Sequence, residues 1–229
     1  MQAGFDVAIR AANESCVMIR ALGMAMALAA ALATALAAAA PAGAAPVLVV
    51  LGDSLAAGYG LAPGEAFPER LAASLAARGI AATIVNAGVS GDTTAGGLER
   101  LDWSVPPEAT AAIVELGGND ALRGLDPAAT RANLDAILVR LKGRGVAVLL
   151  AGMLAPPNLG GDYAQAFNAI YPQLAAQHAI ALYPFFLDGV AARPQLNQPD
   201  GIHPTARGVE EIVRRILPAV EALLAKAGG

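Results

Sequence analysis

The 229-residue chain has one cysteine, Cys16, and two histidines, His178 and His203. A disulfide framework and a thiolate metal cage are therefore excluded, and a metal would need clustered carboxylates, of which the sequence offers no set. Charge is sparse as well. Charged residues make up 15% of the chain, and 15 Lys/Arg against 19 Asp/Glu leave a formal charge of −4. No basic surface of the kind that neutralises phosphates follows from this, so nucleic acid is not an expected partner. Phosphate-cradling loops are missing too: Gly58-x-Gly60 is followed by Pro63 rather than a third glycine, and no G-K-[ST] comes after it. Aromatic residues, at 4%, form no carbohydrate-facing cluster.

What the chain has is a long uncharged run near its start. Residues 21–45 follow Arg20, carry no charge, and include Ala42-Gly43-Ala44, which fits an A-x-A cleavage pattern. Residues 1–44 read as a leader with a secretory signal and residues 45–229 as the mature domain, periplasmic or secreted after cleavage near Ala44. A run of this length also suffices for a retained membrane anchor, but alanine is only weakly apolar, and Pro41 and Gly43 break the run where a cleavage site belongs. Met18 opens a compact basic lead, "MIR", and is the expected translation start; sequencing the precursor's N-terminus tests this, since Met1 or Gln2 there would rule it out. Cys16 precedes the apolar run without a lipobox and is not read as a lipidation site. Loss of the leader leaves a cysteine-free chain suited to an oxidising compartment.

From Pro46 onward, short apolar runs alternate with segments of helical spacing, the pattern of βαβ units around a parallel sheet covered on both faces. Strands are expected at 47–51, "AATIVNAG", "TAAIVELGGND", "VAVLLAGM" and "AIALYPFF". Helices are expected over 65–79, in the weaker "DTTAGGLERL", from Asp126-Pro127 to about Gly143, over about 163–177, and from about Thr205 to the end, with Pro218 kinking or restarting the last. "APPNLGGDY" reads as a mobile loop.

In open α/β sheets the site lies beyond the C-terminal strand ends. Gly52-Asp53-Ser54, Asn86-Ala87-Gly88 and Gly117-Gly118-Asn119-Asp120 all fall there. Ser54 alone reads as a helix cap rather than a nucleophile, and "GDSLA" is not the G-x-S-x-G elbow of α/β-hydrolases. Its standing rises with "QPDGIHP", where Asp200 and His203, three apart around a glycine turn, can set a carboxylate against one imidazole nitrogen and leave the other to take a serine proton. The bland alternative is a turn at Asp200-Gly201 and a helix entry at His203. The N–H groups of Ser54 and Gly88 and the side-chain amide of Asn119 are candidate oxyanion donors, although Gly88 and Asn119 also fit a turn and a cap. His178 has no comparable company and is expected on a solvated helix end.

Taken together, "GDS" at 52–54, Gly88 in "NAGVSGDTT", "GGND" at 117–120 and "DGIHP" at 200–204 resemble the SGNH (GDSL) hydrolases. Within that superfamily "LGDSLAAGYGL", "VELGGNDALRGL" and "DGIHP" look like the periplasmic multifunctional thioesterase I/lysophospholipase group, also called arylesterases, from about residue 47 to 216. The resemblance implies a three-layer α/β/α sandwich, flavodoxin-like, with five parallel strands. It further implies Ser54 as nucleophile, His203 as base, Asp200 orienting it, and Ser54, Gly88 and Asn119 around the oxyanion. No cofactor or metal is needed, and the loop "LAPPNLGGDY" looks like the family's mobile loop that closes over an acyl chain. The expected partner is a small acyl ester or thioester, the chain a monomer, and membrane contact confined to the leader or to lipid substrates. A carbohydrate O-acetyl esterase of the same superfamily, a non-catalytic periplasmic binding domain and a membrane-tethered scaffold are the rival readings.

Overall fold

Five short apolar runs become five parallel strands of one sheet: β1 Val47–Gly52, β2 Thr83–Gly88, β3 Ala111–Glu115, β4 Ala147–Ala151 and β5 Ala181–Tyr183, in the order β2-β1-β3-β4-β5. This computed structural model describes residues 45–227; the readings at Cys16, Met18 and the Ala42–Ala44 cleavage pattern lie outside the described residues. Leu48–Leu51 and Ala111–Val114 are fully buried because helices cover both faces of the sheet.

The helices, numbered in chain order, are α1 Ser54–Ala57, α2 Phe67–Ala77, α3 Thr94–Glu99, α4 Leu101–Ser104, α5 Gly118–Leu122, α6 Pro127–Gly143, α7 Gly161–Asn168, α8 Ile170–His178 and α9 Ala206–Ala227. Helix α6 begins as its sequence predicts, with the Asp126 carboxylate accepting the Ala128 N–H at 2.9 Å and Pro127 in the first turn, where its missing N–H is not needed. Helices α2 and α9 pack together over one side of the sheet, while α3, α6 and α8 associate through α6. The result is the expected three-layer α/β/α sandwich.

Three expectations change. The single helix expected over 163–177 is two helices meeting at Ala169, preceded by a short 3₁₀ turn at Pro157–Leu159 inside the segment read as loop. At the junction the Asn168 side chain turns back to accept the Ala155 N–H at 2.8 Å, which fastens the loop to the helix end. Pro218 does not restart the chain as a second helix, since α9 runs through it from Ala206 to Ala227. The lost hydrogen bond is offset by a continuous apolar face, Ile216, Leu217, Val220, Leu223 and Leu224, buried on either side of the proline. His178 does end a helix, but it is buried rather than solvated. Its Nε2 lies 2.6 Å from Asp135 Oδ1 on α6, so the imidazole ties α8 to α6.

The register aligns Gly52 with both Gly88 and Glu115, and Ala151 with Glu115 and Tyr183. All five strands therefore end at one level. The chain moves from β1 to one neighbour, β2, and then across to the other, β3, so the crevice between β1 and β3 is the topological switch point where α/β folds place their sites.

Candidate active site

Strand β1 delivers the first element of the site. Gly52 tolerates no side chain, since a Cβ there would stand 2.5 Å from Glu115 Oε2 on β3. Asp53 follows, and its Oδ1 accepts the Leu55 N–H at 3.0 Å. Asp53, not Ser54, is thus the cap of α1, which leaves the Ser54 hydroxyl free of that duty.

Ser54 Oγ lies 2.9 Å from His203 Nε2, a contact across 149 residues of sequence. His203 Nδ1 lies 2.7 Å from Asp200 Oδ2. The other Asp200 oxygen accepts the backbone N–H groups of Ile202 at 2.9 Å and His203 at 3.0 Å, an arrangement that Gly201, at φ +71, permits. The His203 N–H, then the imidazole, then the Ile202 N–H hold the Asp200 carboxyl down to about 2. With a carboxylate on its Nδ1 side, the imidazole carries its proton at Nδ1 and offers a lone pair at Nε2 to the serine. The Gln198 amide donates to the Tyr59 carbonyl at 2.7 Å, joining the His203 segment to the loop after α1. The Tyr59 ring sits against the imidazole, with centroids 4.5 Å apart.

Strand β3 supplies the opposite wall. Gly117 takes φ +112 between β3 and α5, and a Cβ on it would meet Tyr171 Oη at 2.2 Å. Tyr171 in turn donates to the Leu116 carbonyl at 3.0 Å, so α8 buttresses this turn. On α5, Asn119 Nδ2 donates to Asp53 Oδ2 at 3.0 Å and to the Asp92 carbonyl at 2.8 Å. Asp120 points the other way, fully buried, and accepts from the Thr94 N–H and the Thr94 and Thr130 hydroxyls; it fastens α3 to α5.

Gly88 is placed differently from the sequence expectation. Its N–H donates to Asn86 Oδ1 at 3.0 Å, and a Cβ on it would meet the Ala57 nitrogen at 2.3 Å. The glycine lets β2 close against α1, and its N–H is already engaged. Three residues on, Gly91, at φ +83, sits in a turn closed by the Asp92 N–H on the Val89 carbonyl, and its own N–H has no acceptor among the described residues. The Asn119–Asp92 bond brings this turn to the site.

Around the ends of β1 and β3 lie groups that sequence reasoning did not single out. Glu115 is fully buried, accepts the Asp53 N–H at 3.3 Å through Oε2, and has no hydrogen-bond partner at Oε1 among the described residues. Burial first, and the neighbouring Asp53 charge second, push its carboxyl well above the usual range. Burial likewise raises Asp53 to about 6. Arg100, also buried, pairs with Asp92 at 2.6 Å and donates to the carbonyls of Gly52 and Ala87, locking the ends of β1 and β2 to the Gly91 turn. A lone glutamate ending the apolar run "AAIVE" was the available signal for Glu115; the helical "GLERL" hid Arg100.

A cavity of about 550 Å³ opens over Ser54 and His203, with Leu122, Met153, Leu154, Pro156, Phe185 and Ile202 among its walls. Its floor is polar at Asp53 and Asn119 and its walls are apolar, a shape suited to a reacting carbonyl with a hydrocarbon attached. Among the described residues no three His, Cys, Asp or Glu side chains converge as a metal site, and no helix is long and apolar enough to cross a membrane.

Residues 50–210 match the GDSL-like Lipase/Acylhydrolase family. The esterase TesA of Pseudomonas aeruginosa is 42% identical over 182 residues, covering 79% of this chain and 90% of that one. Thioesterase 1/protease 1/lysophospholipase L1 of Escherichia coli K12 is 42% identical over 164 residues, covering 71% and 77%. The crystal structure of AlinE4, an SGNH-hydrolase family esterase, is 53% identical with a TM-score of 0.67, covering 79% of this chain and 97% of AlinE4.

Proposed function

The chain belongs to the GDSL-like lipase/acylhydrolase family, and on that premise we propose that Ser54, His203 and Asp200 carry out its ester hydrolysis through an acyl-enzyme. It is an esterase of the arylesterase, thioesterase and lysophospholipase type, acting on carboxylic esters and thioesters of acyl chains. The single observation that carries the assignment of residues is the Ser54–His203–Asp200 chain of contacts, at 2.9 and 2.7 Å, opening into an apolar cavity.

Ser54 Oγ attacks the carbonyl carbon as His203 Nε2 takes the hydroxyl proton. The carbonyl oxygen becomes an oxyanion that accepts from the Asn119 amide and the Ser54 N–H, with the Gly91 N–H as the third candidate donor in place of Gly88. His203 returns its proton to the departing alcohol or thiol as the acyl–oxygen or acyl–sulfur bond breaks. A water then gives a proton to His203 Nε2 as its oxygen attacks the acyl-enzyme, and His203 returns that proton to Ser54 Oγ as the acyl–Oγ bond breaks and the acid leaves. Asp200, ionised far below neutrality, holds the imidazole in the required tautomer and balances its transient charge.

The reading extends to residues 45–229 as a mature, monomeric domain, released into the periplasm or the medium by cleavage near Ala44 and touching membrane only through its leader or its lipid substrates. The Ala42-Gly43-Ala44 pattern supports this. Hydrolysis of p-nitrophenyl esters from acetyl to palmitoyl, with Ser54→Ala alongside, tests the activity. Fluorophosphonate labelling of wild type but not Ser54→Ala, with turnover lost in the variant, is expected; turnover by Ser54→Ala at the wild-type rate would overturn the assignment.

A further inference from the structure

We propose that Asp53 is a positioning residue, whose carboxylate holds the amide of Asn119 in the orientation that donates to the oxyanion while fixing the helix that presents Ser54. The proposal rests on the assignment of Asn119 as an oxyanion donor. Asp53 is buried, its two oxygens serve two different elements, and it forms part of the cavity floor. Oδ1 accepts the Leu55 N–H at 3.0 Å on the nucleophile's helix, and Oδ2 accepts Asn119 Nδ2 at 3.0 Å on the helix after β3. One side chain therefore sets the distance between nucleophile and donor across the switch point.

The chemistry of the acceptors decides which end of the amide is presented. An Asn oxygen and nitrogen have nearly the same shape, and a flip would turn a carbonyl toward the forming oxyanion. A carboxylate accepts only, and so does the Asp92 carbonyl, 2.8 Å from the same nitrogen. Both oppose the flipped state. In the resting site each amide proton is thus held, one by a charged acceptor and one by a neutral acceptor. A developing oxyanion competes best with the neutral one, since bonds to ionised acceptors are about twice as strong. Asn119 then exchanges the Asp92 carbonyl for the substrate while Asp53 retains its other proton.

Asp53→Asn separates this role from simple capping. Asn caps helices as well as Asp, so its oxygen can keep the Leu55 N–H, but its NH₂ group then faces the NH₂ of Asn119. We expect kcat for p-nitrophenyl butyrate to fall about 10- to 100-fold with KM changed less than about 3-fold, while circular dichroism stays that of wild type. In an Asn119→Ala background the same substitution should change kcat less than about 2-fold, because residues acting through one another are not additive. Wild-type kcat in Asp53→Asn, or full additivity in the double variant, overturns the proposal while the oxyanion assignment stands. Wild-type kcat in Asn119→Ala alone overturns the oxyanion assignment and the proposal with it. If Asp53→Asn does not fold, Asp53→Ser, which also caps but does not reach Asn119, takes its place in the same cycle.

Discussion

Glu115 and Asp53 place two buried carboxyl groups at the ends of adjacent strands, joined by the Asp53 N–H on Glu115 Oε2 at 3.3 Å. Both titrate upward from their ordinary values through burial. A carboxyl whose folded pKa exceeds its unfolded one binds its proton more tightly in the native state. Its contribution to stability is therefore greatest below the unfolded pKa and declines as pH rises toward the folded one. For Asp53, raised from 3.8 to about 6, the decline spans that window and amounts to about 3 kcal/mol.

Glu115→Gln removes one of these ionisations and keeps the shape of the site. Its stability relative to wild type should increase steadily as pH rises above about 4.5. Urea unfolding of both proteins at pH 5, 6.5 and 8 checks this; a difference that stays constant across the series would mean that Glu115 is ionised in the fold.

Asp200→Asn leaves an acceptor for the Ile202 and His203 N–H groups but can set an amide donor against His203 Nδ1. The imidazole then loses the tautomer that accepts from Ser54, and kcat should fall on the order of 10²–10⁴ with KM little changed. Because the wild-type carboxyl is held at about 2, Asp200 stays ionised above pH 4, and its own titration should leave no step in the wild-type rate between pH 4 and 8. Steady-state kinetics across pH measures both.

Asn119→Ala removes a side-chain amide that lines the cavity floor and, if it donates to the oxyanion as proposed, should cost on the order of 10²–10³ in kcat. Comparable loss on acetyl and longer-chain esters is expected, since the oxyanion is common to both. Rates for the two substrates in the same variant provide the check.

Gly117→Ala forces a side chain into φ +112 and sets its Cβ 2.2 Å from Tyr171 Oη. A destabilisation of about 2 kcal/mol or more is expected, from backbone strain together with overpacking. Tyr171→Phe, which removes the hydroxyl, should recover part of it in the double variant, as read from thermal unfolding.

Asp135→Ala, on the α6–α8 contact and outside the cavity over Ser54, deprives the buried His178 imidazole of its partner. A loss of about 1–3 kcal/mol in unfolding free energy, with kcat unaffected, is expected. Loss of activity without loss of stability would assign the pair a function beyond bracing α8 on α6.

Much of this was legible in the chain order of residues. The alternation of apolar runs with capped helical segments determined a parallel α/β sheet, since only strands covered on both faces read as unbroken Val/Ile/Leu/Ala. "GDS" and "GGND" marked Ser54 and Asn119 after strand ends and "DGIHP" marked Asp200 and His203, but each piece alone also fitted a cap or a turn, and only their joint resemblance to a known family raised them. Asp200 and His203 even carry their relation locally, three residues apart around Gly201. The tertiary structure alone decided which polar atoms meet across elements. It joined Ser54 to His203 and Asn119 to Asp53, and set Glu115 against the Asp53 N–H through strand register. It also buried His178 against Asp135 on another helix. Hydrogen bonds between residues distant in sequence depend on register and packing, and neither leaves a periodicity for the sequence to display.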